Sequence, residues 1–524
     1  MIRDRTYFKQ EIKAWCLLAF FGSLFGLIAP GFEQWYLAWI GLVPLLFCIC
    51  QSSYPPQAFY RGLIFGYAYN LVYVGWILQF SPIVWPENIR SLYLLANTSA
   101  WILYSLQQGT LFGAFAFLMR WIPLTGGILA IKDHGTWRLP SALVLPLLWV
   151  LIFNKLANSQ GSMALPWSLI EYSQYDFASF AQIASVIGGI GISAILVMTN
   201  VIVASLFANI FKKDFLKPLA FANKTSKLSS LFFAQCIIFG AIAYGHLHLQ
   251  DAEDCVERSK DNKQIFSILQ GNIHFAFNQV NSLDHWNTYM KLALQSPPGV
   301  CIWPEWSMPI SISEYPGVFK AMDSKARQNN QDWIVGALDS DSDKNSYNAS
   351  CMVGTSSDQN KSQIDVYRKQ WLVPFGEYSP RWLLNSPLGG LCGTLTPRRI
   401  GYKAADSTTL FTSKQNKIVP LICCELISPE LASRGTRAGG GILVDCSNTM
   451  WFQTKLLGEQ SFAVCAMRAI ENHRFFVFGT SIGPSAFIDW HGKILSQTAI
   501  DKSCTLTSEI FYDRHLTPFS RWFR

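Results

Sequence analysis

Charged residues are scarce in this chain. Only 15% of its 524 residues are Asp, Glu, Lys or Arg, whereas half are hydrophobic and 14% are aromatic. That composition favours a membrane protein. The formal charge of +8 is unevenly placed, because residues 1–250 carry 15 Lys and Arg against 8 Asp and Glu, and residues 251–524 carry 27 against 26. The polar half is nearly neutral, which argues against nucleic-acid binding.

Recognisable cysteine and histidine ligand motifs are absent as well. The 13 cysteines include no CxxC pair, and the 8 histidines are scattered apart from His246 and His248, which have no third ligand beside them. The sequence therefore predicts neither a metal nor an organic cofactor. It leaves open which cysteines pair in an oxidising compartment, among Cys255, Cys301, Cys351, Cys392, Cys446, Cys465 and Cys504.

Long hydrophobic runs fill the first half instead. Seven apolar stretches cover residues 15–30, 35–50, 62–80, 92–118, 139–153, 180–211 and 228–244. Several are shorter than the roughly 20 residues that a perpendicular span needs, so tilted or re-entrant pieces are expected. We predict a seven-span transmembrane domain over residues 1–250, a linker over 251–263 and a catalytic domain over 264–524.

The positions of Lys and Arg predict the orientation of these spans. With the N-terminus in the cytoplasm, the inside segments carry thirteen basic residues and the outside loops carry only Arg90 and Lys155. Basic residues accumulate on the cytoplasmic side of membrane proteins. Seven spans then put everything after Tyr244 outside the cytoplasm.

The second half changes to short β-branched and aromatic runs separated by helical patterns. Strands are predicted at residues 265–269, 300–303, 333–337, 418–423, 442–445 and 475–479, and helices at 282–295, 318–328 and 454–472. Continuous apolar strands indicate sheets covered on both faces, and hence a layered α/β domain. Residues 338–349 and 376–401 are predicted to be long loops.

Three reactive side chains each follow a predicted strand. They are Glu305 in WPE, Lys369 in YRK and Cys423 in ICCE. Glu305 is predicted as the general base and Cys423 as the nucleophile, because a thiol needs a base or a cation to attack an ester. Lys369 is predicted to stabilise the oxyanion. Taken singly, each also fits a structural or surface role, and their joint occurrence is what favours catalysis.

The strings around these residues resemble the nitrilase superfamily, and with the membrane half they resemble the bacterial apolipoprotein N-acyltransferases. The matching strings are APGFEQWYLAWIGLVPL, SILQGNI, WPE, YRKQWLVPFGEYSP, LICCE, SNTMWF, AMRAIENHRFFVFGTSIGPSAFID and LTPF. The resemblance covers nearly the whole chain. It implies an α-helical transmembrane bundle followed by an αββα nitrilase-like sandwich.

The resemblance also implies roles for individual residues. Glu305, Lys369 and Cys423 match the base, the oxyanion-stabilising cation and the acyl-carrying thiol. Glu377 and Glu425 match acidic supporting positions, and Asn348 and Trp451 match positions that line the site. This chain departs from the family pattern at Cys424, where an aromatic residue is usual, at Thr449 in SNTMWF, and in segment 274–279 after QGNI, which lacks a tryptophan.

The activity that the resemblance implies is a two-step acyl transfer in the bacterial inner membrane, with the catalytic domain on the periplasmic side. A membrane phospholipid is the expected acyl donor, and the diacylglyceryl cysteine at a lipoprotein N-terminus is the expected acceptor. Two alternatives stay open at this point. They are a membrane-tethered amidase or nitrilase that acts on a small amide, and an inactive membrane scaffold.

Overall fold

The computed structural model describes residues 2–82, 87–133, 135–156, 165–250, 263–274, 281–354, 364–379, 385–387, 401–452 and 454–523. The chain divides into two compact units, one formed by Met1–Leu78 with Leu95–Leu247 and the other by Gln79–Leu94 with His248–Arg524. Most of the predicted linker lies outside the described residues, and Lys263 already belongs to a strand.

The first unit is helical. Its helices are α1 (Ile2–Gly26), α2 (Val43–Cys50), α3 (Pro55–Tyr73), α4 (Tyr93–Trp121), α5 (Ser141–Val150), α6 (Ala178–Ala181), α7 (Ala184–Phe211) and α8 (Lys224–Gln250). A small sheet of β1 (Leu124–Thr125), β2 (Ile131–Asp133) and β3 (Thr136–Pro140) lies between α4 and α5. The α8 assignment extends by three residues into the second unit.

All seven predicted apolar stretches overlap helical segments, and all but residues 79–80 and 92–94 of them lie in this unit. Among the described residues, three helices are long and apolar enough to cross a membrane, namely Arg90–Trp121, Ala184–Phe211 and Lys224–Gln250. Trp35–Cys50 and Ser141–Asn154 are apolar but shorter. The number of spans therefore stays a prediction.

Close helix packing in the first unit depends on glycine. A Cβ atom at Gly22 would lie 2.4 Å from the carbonyl oxygen of Phe65, and one at Gly62 would lie 2.4 Å from that of Phe112. Two charged groups that are buried here form an ion pair, since Arg61 Nη2 lies 2.6 Å from Glu11 Oε1. Burial of an unpaired charge would be far more costly than burial of this pair.

The second unit contains two six-stranded sheets. The first has the strand order β15-β4-β5-β6-β7-β8 and the second has β14-β13-β12-β11-β10-β9. The strands are β4 (Lys263–Gln270), β5 (Gly299–Trp303), β6 (Gln331–Ser340), β7 (Ser346–Val353), β8 (Asp365–Arg368), β9 (Phe411–Ser413), β10 (Asn416–Ile422), β11 (Ile442–Ser447), β12 (Phe475–Thr480), β13 (Ala486–Ile488), β14 (Ile494–Gln497) and β15 (Cys504–Phe511).

Alternate side chains of these strands build two apolar layers. Ile268 and Ile302 of the first sheet pack in one buried cluster with Ile422 and Val444 of the second, so the sheets lie face to face. The outer face of the first sheet is covered by α9 (Ser282–Gln295) and α10 (Pro316–Gln328). The second sheet packs against α11 (Pro429–Arg437) and α12 (Lys455–Asn472), and α13 (Pro518–Trp522) follows. This is an αββα sandwich.

The six predicted strands and three predicted helices are confirmed to within a few residues. The predicted long loop at 338–349 is wrong, because β6 and β7 occupy most of it and leave a tight hairpin. The Asp341 side chain stabilises this turn by accepting hydrogen bonds from the backbone amides of Asp343 and Asn345. Of the other predicted loop, residues 380–384 and 388–400 lie outside the described residues.

Candidate active site

The three predicted reactive residues sit at strand ends on both sheets. Glu305 follows β5 and Lys369 follows β8 of the first sheet, while Cys423 follows β10 of the second. The side chains of Glu305 and Lys369 are 7% and 1% exposed, and Cys423 is partly exposed. The polar ends of buried strands thus meet at one edge of the sandwich.

Glu305 and Lys369 belong to one buried hydrogen-bonded cluster with Asn348 and Glu377. The Nδ2 atom of Asn348 donates to Glu305 Oε1 at 2.6 Å and to Glu377 Oε1 at 2.7 Å. The Nζ atom of Lys369 lies 3.4 Å from Glu305 Oε1 and 3.0 Å from Glu377. Burial lowers the pKa of Lys369, but the carboxylates of Glu377 and Glu305 outweigh this effect and hold it well above 10.5.

A backbone amide completes the surroundings of Glu305. The N–H of Asn448 donates to Glu305 Oε2 at 2.8 Å. The Asn448 side chain is fixed in turn, since its Oδ1 accepts from Ser481 Oγ and from the Met450 amide. Asn448 lies in the SNTMWF string, but its contact with Glu305 is not predicted from the sequence. Both oxygens of the candidate base are therefore held in place.

Cys423 occupies a tight turn where strand passes into helix. Its φ of 56° lies in the left-handed region that a non-glycine residue seldom adopts, and a 3₁₀ turn runs from Cys423 to Ile427. Burial raises the pKa of the thiol well above 9.0 and the Glu305 carboxylate raises it further, while the Lys369 ammonium lowers it. The thiol is thus protonated at rest and depends on a base to become a nucleophile.

Glu425 joins the end of β8 to the end of β10. It is fully buried, and its carboxylate accepts from the amides of Gln370, Trp371 and Ile422 and from the hydroxyl of Tyr367, at 2.6 to 3.1 Å. Burial raises its pKa to about 6, although the Lys369 ammonium and these amides lower it. This carboxylate therefore fixes the Cys423 turn relative to the segment that carries Lys369.

Trp451 lies in an apolar cluster beside the site. It packs partly buried with Trp306, which follows Glu305, and with Met450. Its carbonyl oxygen accepts from the amide of Ser81 at 3.1 Å, and the ring of the next residue, Phe452, lies 4.6 Å from that of Phe80. Segment 79–82 of the second unit thus packs against the SNTMWF loop.

A buried ion pair supports the far end of the Cys423 turn. Arg468 of α12 lies 2.8 Å from the Glu471 carboxylate, and its Nη1 donates to the carbonyl oxygen of Ile427 at 3.0 Å. Both charged side chains are at most 2% exposed. The RAIEN string therefore has a structural explanation, since it links α12 to the turn that begins at Cys423.

The structure thus gathers the predicted residues at one edge of the sandwich. Asn348 and Glu377 directly contact Glu305 and Lys369, while Glu425 anchors the Cys423 turn and Trp451 belongs to the adjoining apolar cluster. Across the described ranges, no group of three or more His, Cys, Asp and Glu side chains has a geometry that fits a metal ion.

Comparison with known families divides the chain as its structure does. Residues 267–513 match the family model described as carbon-nitrogen hydrolase, and residues 21–202 match that of the apolipoprotein N-acyltransferase N-terminal domain. Solved structures that resemble the chain include Saccharomyces cerevisiae Nit3, with a TM-score of 0.36 and 15% identity over 48% of this chain and 90% of that one.

Curated relatives match over nearly the full length. An apolipoprotein N-acyltransferase of Geobacter metallireducens is 26% identical over 513 residues, which cover 93% of this chain and 88% of the relative. One from Nostoc is 26% identical over 95% of this chain and 93% of the relative, and one from Pasteurella multocida is 22% identical over 96% and 91%.

The αββα sandwich and its family match define the second half as a carbon–nitrogen hydrolase domain. This domain occurs here together with a helical N-terminal part, of which residues 21–202 match the apolipoprotein N-acyltransferase N-terminal domain. The two family models together, and curated relatives over more than 90% of its length, show that the chain is similar to the apolipoprotein N-acyltransferases.

Proposed function

We propose that this protein transfers an acyl chain from a membrane phospholipid, through a thioester on Cys423, to the N-terminal amine of the diacylglyceryl cysteine of apolipoproteins. Full-length similarity to enzymes named apolipoprotein N-acyltransferase supports this reaction class. The observation that carries the mechanism is the buried cluster of Glu305, Lys369, Asn348 and Glu377 at the strand end beside the Cys423 turn.

The first half-reaction loads the enzyme. Glu305 accepts the proton of the Cys423 thiol, and the sulfur attacks the carbonyl carbon of the phospholipid ester. Lys369 stabilises the negative charge on the carbonyl oxygen. The tetrahedral intermediate then expels the lysophospholipid alkoxide, which takes the proton from Glu305, and the acyl chain stays on sulfur.

The second half-reaction transfers the acyl chain from Cys423 to the lipoprotein. The lipoprotein amine attacks the thioester carbonyl, Glu305 accepts the amine proton, and the carbon–sulfur bond breaks. The Cys423 thiolate recovers that proton. Both oxygens of Glu305 are held by Asn348 and by the Asn448 amide, so the base keeps its orientation while it gains and loses a proton twice in each cycle.

The proposed location is the bacterial inner membrane, with seven spans and a periplasmic catalytic domain. Three long apolar helices support membrane insertion, and the Lys and Arg asymmetry supports the orientation. Confinement of both substrates to the bilayer helps them to meet the enzyme in a productive orientation. Neither a small-amide hydrolase nor an inactive scaffold is favoured by the names of the full-length relatives.

The first experiment is to incubate the purified full chain with alkyne-tagged phospholipid and to measure label on the protein. We expect hydroxylamine-sensitive label on wild type and on Cys504→Ala, since Cys504 lies at the start of β15, and none on Cys423→Ala. Transfer of the label to a diacylglyceryl peptide then tests the second step. Absence of label on folded wild-type protein offered several head groups would contradict the proposal.

A further inference from the structure

Two adjacent thiols stand at the turn, and the proposed mechanism uses only the first. Cys423 and Cys424 both begin the 3₁₀ turn, and both are free thiols. Cys423 is partly exposed, whereas Cys424 is 6% exposed. The more accessible thiol therefore lies next to a second thiol in the same turn.

Cys424 points toward the segment that carries Lys369. Its Sγ donates to the carbonyl oxygen of Trp371 at 3.3 Å, and Trp371 is two residues beyond Lys369. Burial raises the pKa of both Cys423 and Cys424, and the Lys369 ammonium lowers the pKa of both. The hydrogen bond of Cys424 and the adjacent position of Cys423 in the same turn place the two thiols side by side, next to the segment that follows Lys369.

A direct disulfide fits this pair poorly. Neighbouring Cα atoms are about 3.8 Å apart, whereas disulfides usually span about 4.4–6.8 Å. An inserted atom that takes two sulfur ligands avoids this strain. We propose that Cys423 and Cys424 form a dithiol site that binds trivalent organoarsenicals through both sulfurs.

The reaction needs no oxidant. Cys423 attacks the arsenic of an R–As=O compound first, because it is the more exposed thiol, and Cys424 then closes the ring in place of its hydrogen bond to Trp371. Two As–S bonds form, and the arsenic-bound oxygen leaves as water with the two thiol hydrogens. Arsenic stays trivalent throughout. Binding requires no acyl transfer, so its failure and the failure of the proposed function are distinguishable.

The test uses phenylarsine oxide and the full-length protein. We expect intact-protein mass spectrometry and peptide mapping to find one phenylarsenic group on the peptide that contains both cysteines. The adduct should survive excess 2-mercaptoethanol and be removed by 2,3-dimercaptopropanol, because a ring through two sulfurs outcompetes single thiols.

Single-thiol variants decide whether both sulfurs bind. Cys423→Ser and Cys424→Ser should each lose at least about tenfold in affinity, because the second bond of a two-point ligand is intramolecular. Cys504→Ser and Cys48→Ser should bind as wild type does. Thermal unfolding checks each fold, and Cys424→Ala replaces Cys424→Ser if the latter unfolds. An adduct mapped elsewhere, or Cys424 variants that still resist monothiol, would overturn the proposal.

Discussion

Lys369 is the residue on which the charge balance of the site depends. Its ammonium is 1% exposed and lies between the carboxylates of Glu305 and Glu377, which one Asn348 amide also bridges. Without this cation, the two neighbouring buried carboxylates lose the positive charge that offsets their mutual repulsion.

We therefore expect Lys369→Met to lower the rate of thioester formation by about 10²–10³-fold, the usual loss when one oxyanion-stabilising group is removed. Single-turnover labelling with tagged phospholipid measures this rate. Lys320→Met is the matched control, because Lys320 is exposed on α10, and it should react as wild type does. A Lys369→Met rate within threefold of wild type would refute the assigned role of Lys369.

Glu425 gives the site a predicted dependence on pH. Each of its oxygens accepts two hydrogen bonds, so a proton on either oxygen displaces a donor. Because its pKa is raised to about 6, we expect thioester formation to fall as pH drops through about 6. Glu425→Gln should be slower at neutral pH and should lose this acid limb. An unchanged limb in Glu425→Gln would assign the titration to another group.

The folding stability that Glu425 contributes changes with pH in the opposite direction to the rate of thioester formation. The folded pKa of Glu425 lies above its ordinary value of 4.5, so the folded state holds the proton more tightly than the unfolded state. Protonation of Glu425 therefore contributes about 2 kcal/mol to the free energy of unfolding below about pH 4.5. This contribution is lost as pH rises through 6. Denaturant unfolding of wild type against Glu425→Gln across this range measures the difference.

Among the secondary-structure elements, α12 supports the catalytic turn through one buried arginine. Arg468→Met should destabilise the fold by about 3–5 kcal/mol, because it removes the positive partner of the buried Glu471 carboxylate. The double variant Arg468→Met/Glu471→Leu should recover most of that stability. It should still form thioester more slowly, with kcat lowered and KM unchanged, because the Ile427 carbonyl loses its donor.

Conservative replacement provides the control for this prediction. Arg468→Lys keeps the charge and one donor, so it should restore part of the rate that the double variant loses. Thermal unfolding and labelling kinetics measured on the same preparations separate stability from positioning. Full kcat in the stable double variant would show that the ion pair acts on stability alone.

The elements that the sequence predicts well are those whose side chains are buried on both faces. Strands β5 and β12 are almost entirely apolar, and β10 and β11 contain the apolar runs 418–422 and 442–444. A continuous apolar run is readable without the fold. β15 was not predicted, because its exposed and partly buried residues alternate at a sheet edge. β7 is not predicted, since Asn348 and Ser350 interrupt its apolar run, yet the structure buries both side chains.

Site residues differ in the same way in how far the sequence predicts them. Glu305, Lys369 and Cys423 follow strands in distinctive strings, which made them visible in the sequence. The contribution of Asn448 is its backbone N–H, and every residue type except proline has one. Its role depends on how β11 is placed against β5 in the two packed sheets, and local sequence does not encode that placement.

At the scale of the whole molecule, the two units do not follow a single cut in the sequence. Segment Gln79–Leu94 lies between α3 and α4 of the first unit, yet it clusters with the second. Its Phe80 and Ser81 contact the loop that also presents the Asn448 amide to Glu305. Hydropathy alone assigned residues 79 and 80 to a membrane span, because it does not register tertiary contacts.

The number of membrane spans is a prediction about the whole chain, and it can be tested by experiment. If only the three long helices cross, residue 90 is cytoplasmic and residue 130 is external. If all seven predicted spans cross, these two positions exchange sides. Arg120, Lys132 and Arg138 flank position 130, and basic residues favour the cytoplasmic side. We therefore expect an alkaline phosphatase fusion to be active at position 90 and inactive at position 130.

Fusions at two further positions complete this experiment. Both topologies have an odd number of spans, so each places residue 220 in the cytoplasm and residue 250 outside it. A fusion at 220 should therefore be inactive and one at 250 active, which checks expression and insertion independently of the disputed loops. Activity at 130 together with inactivity at 90 would reduce the membrane domain to three spans and still leave the Cys423 thiol outside the cytoplasm.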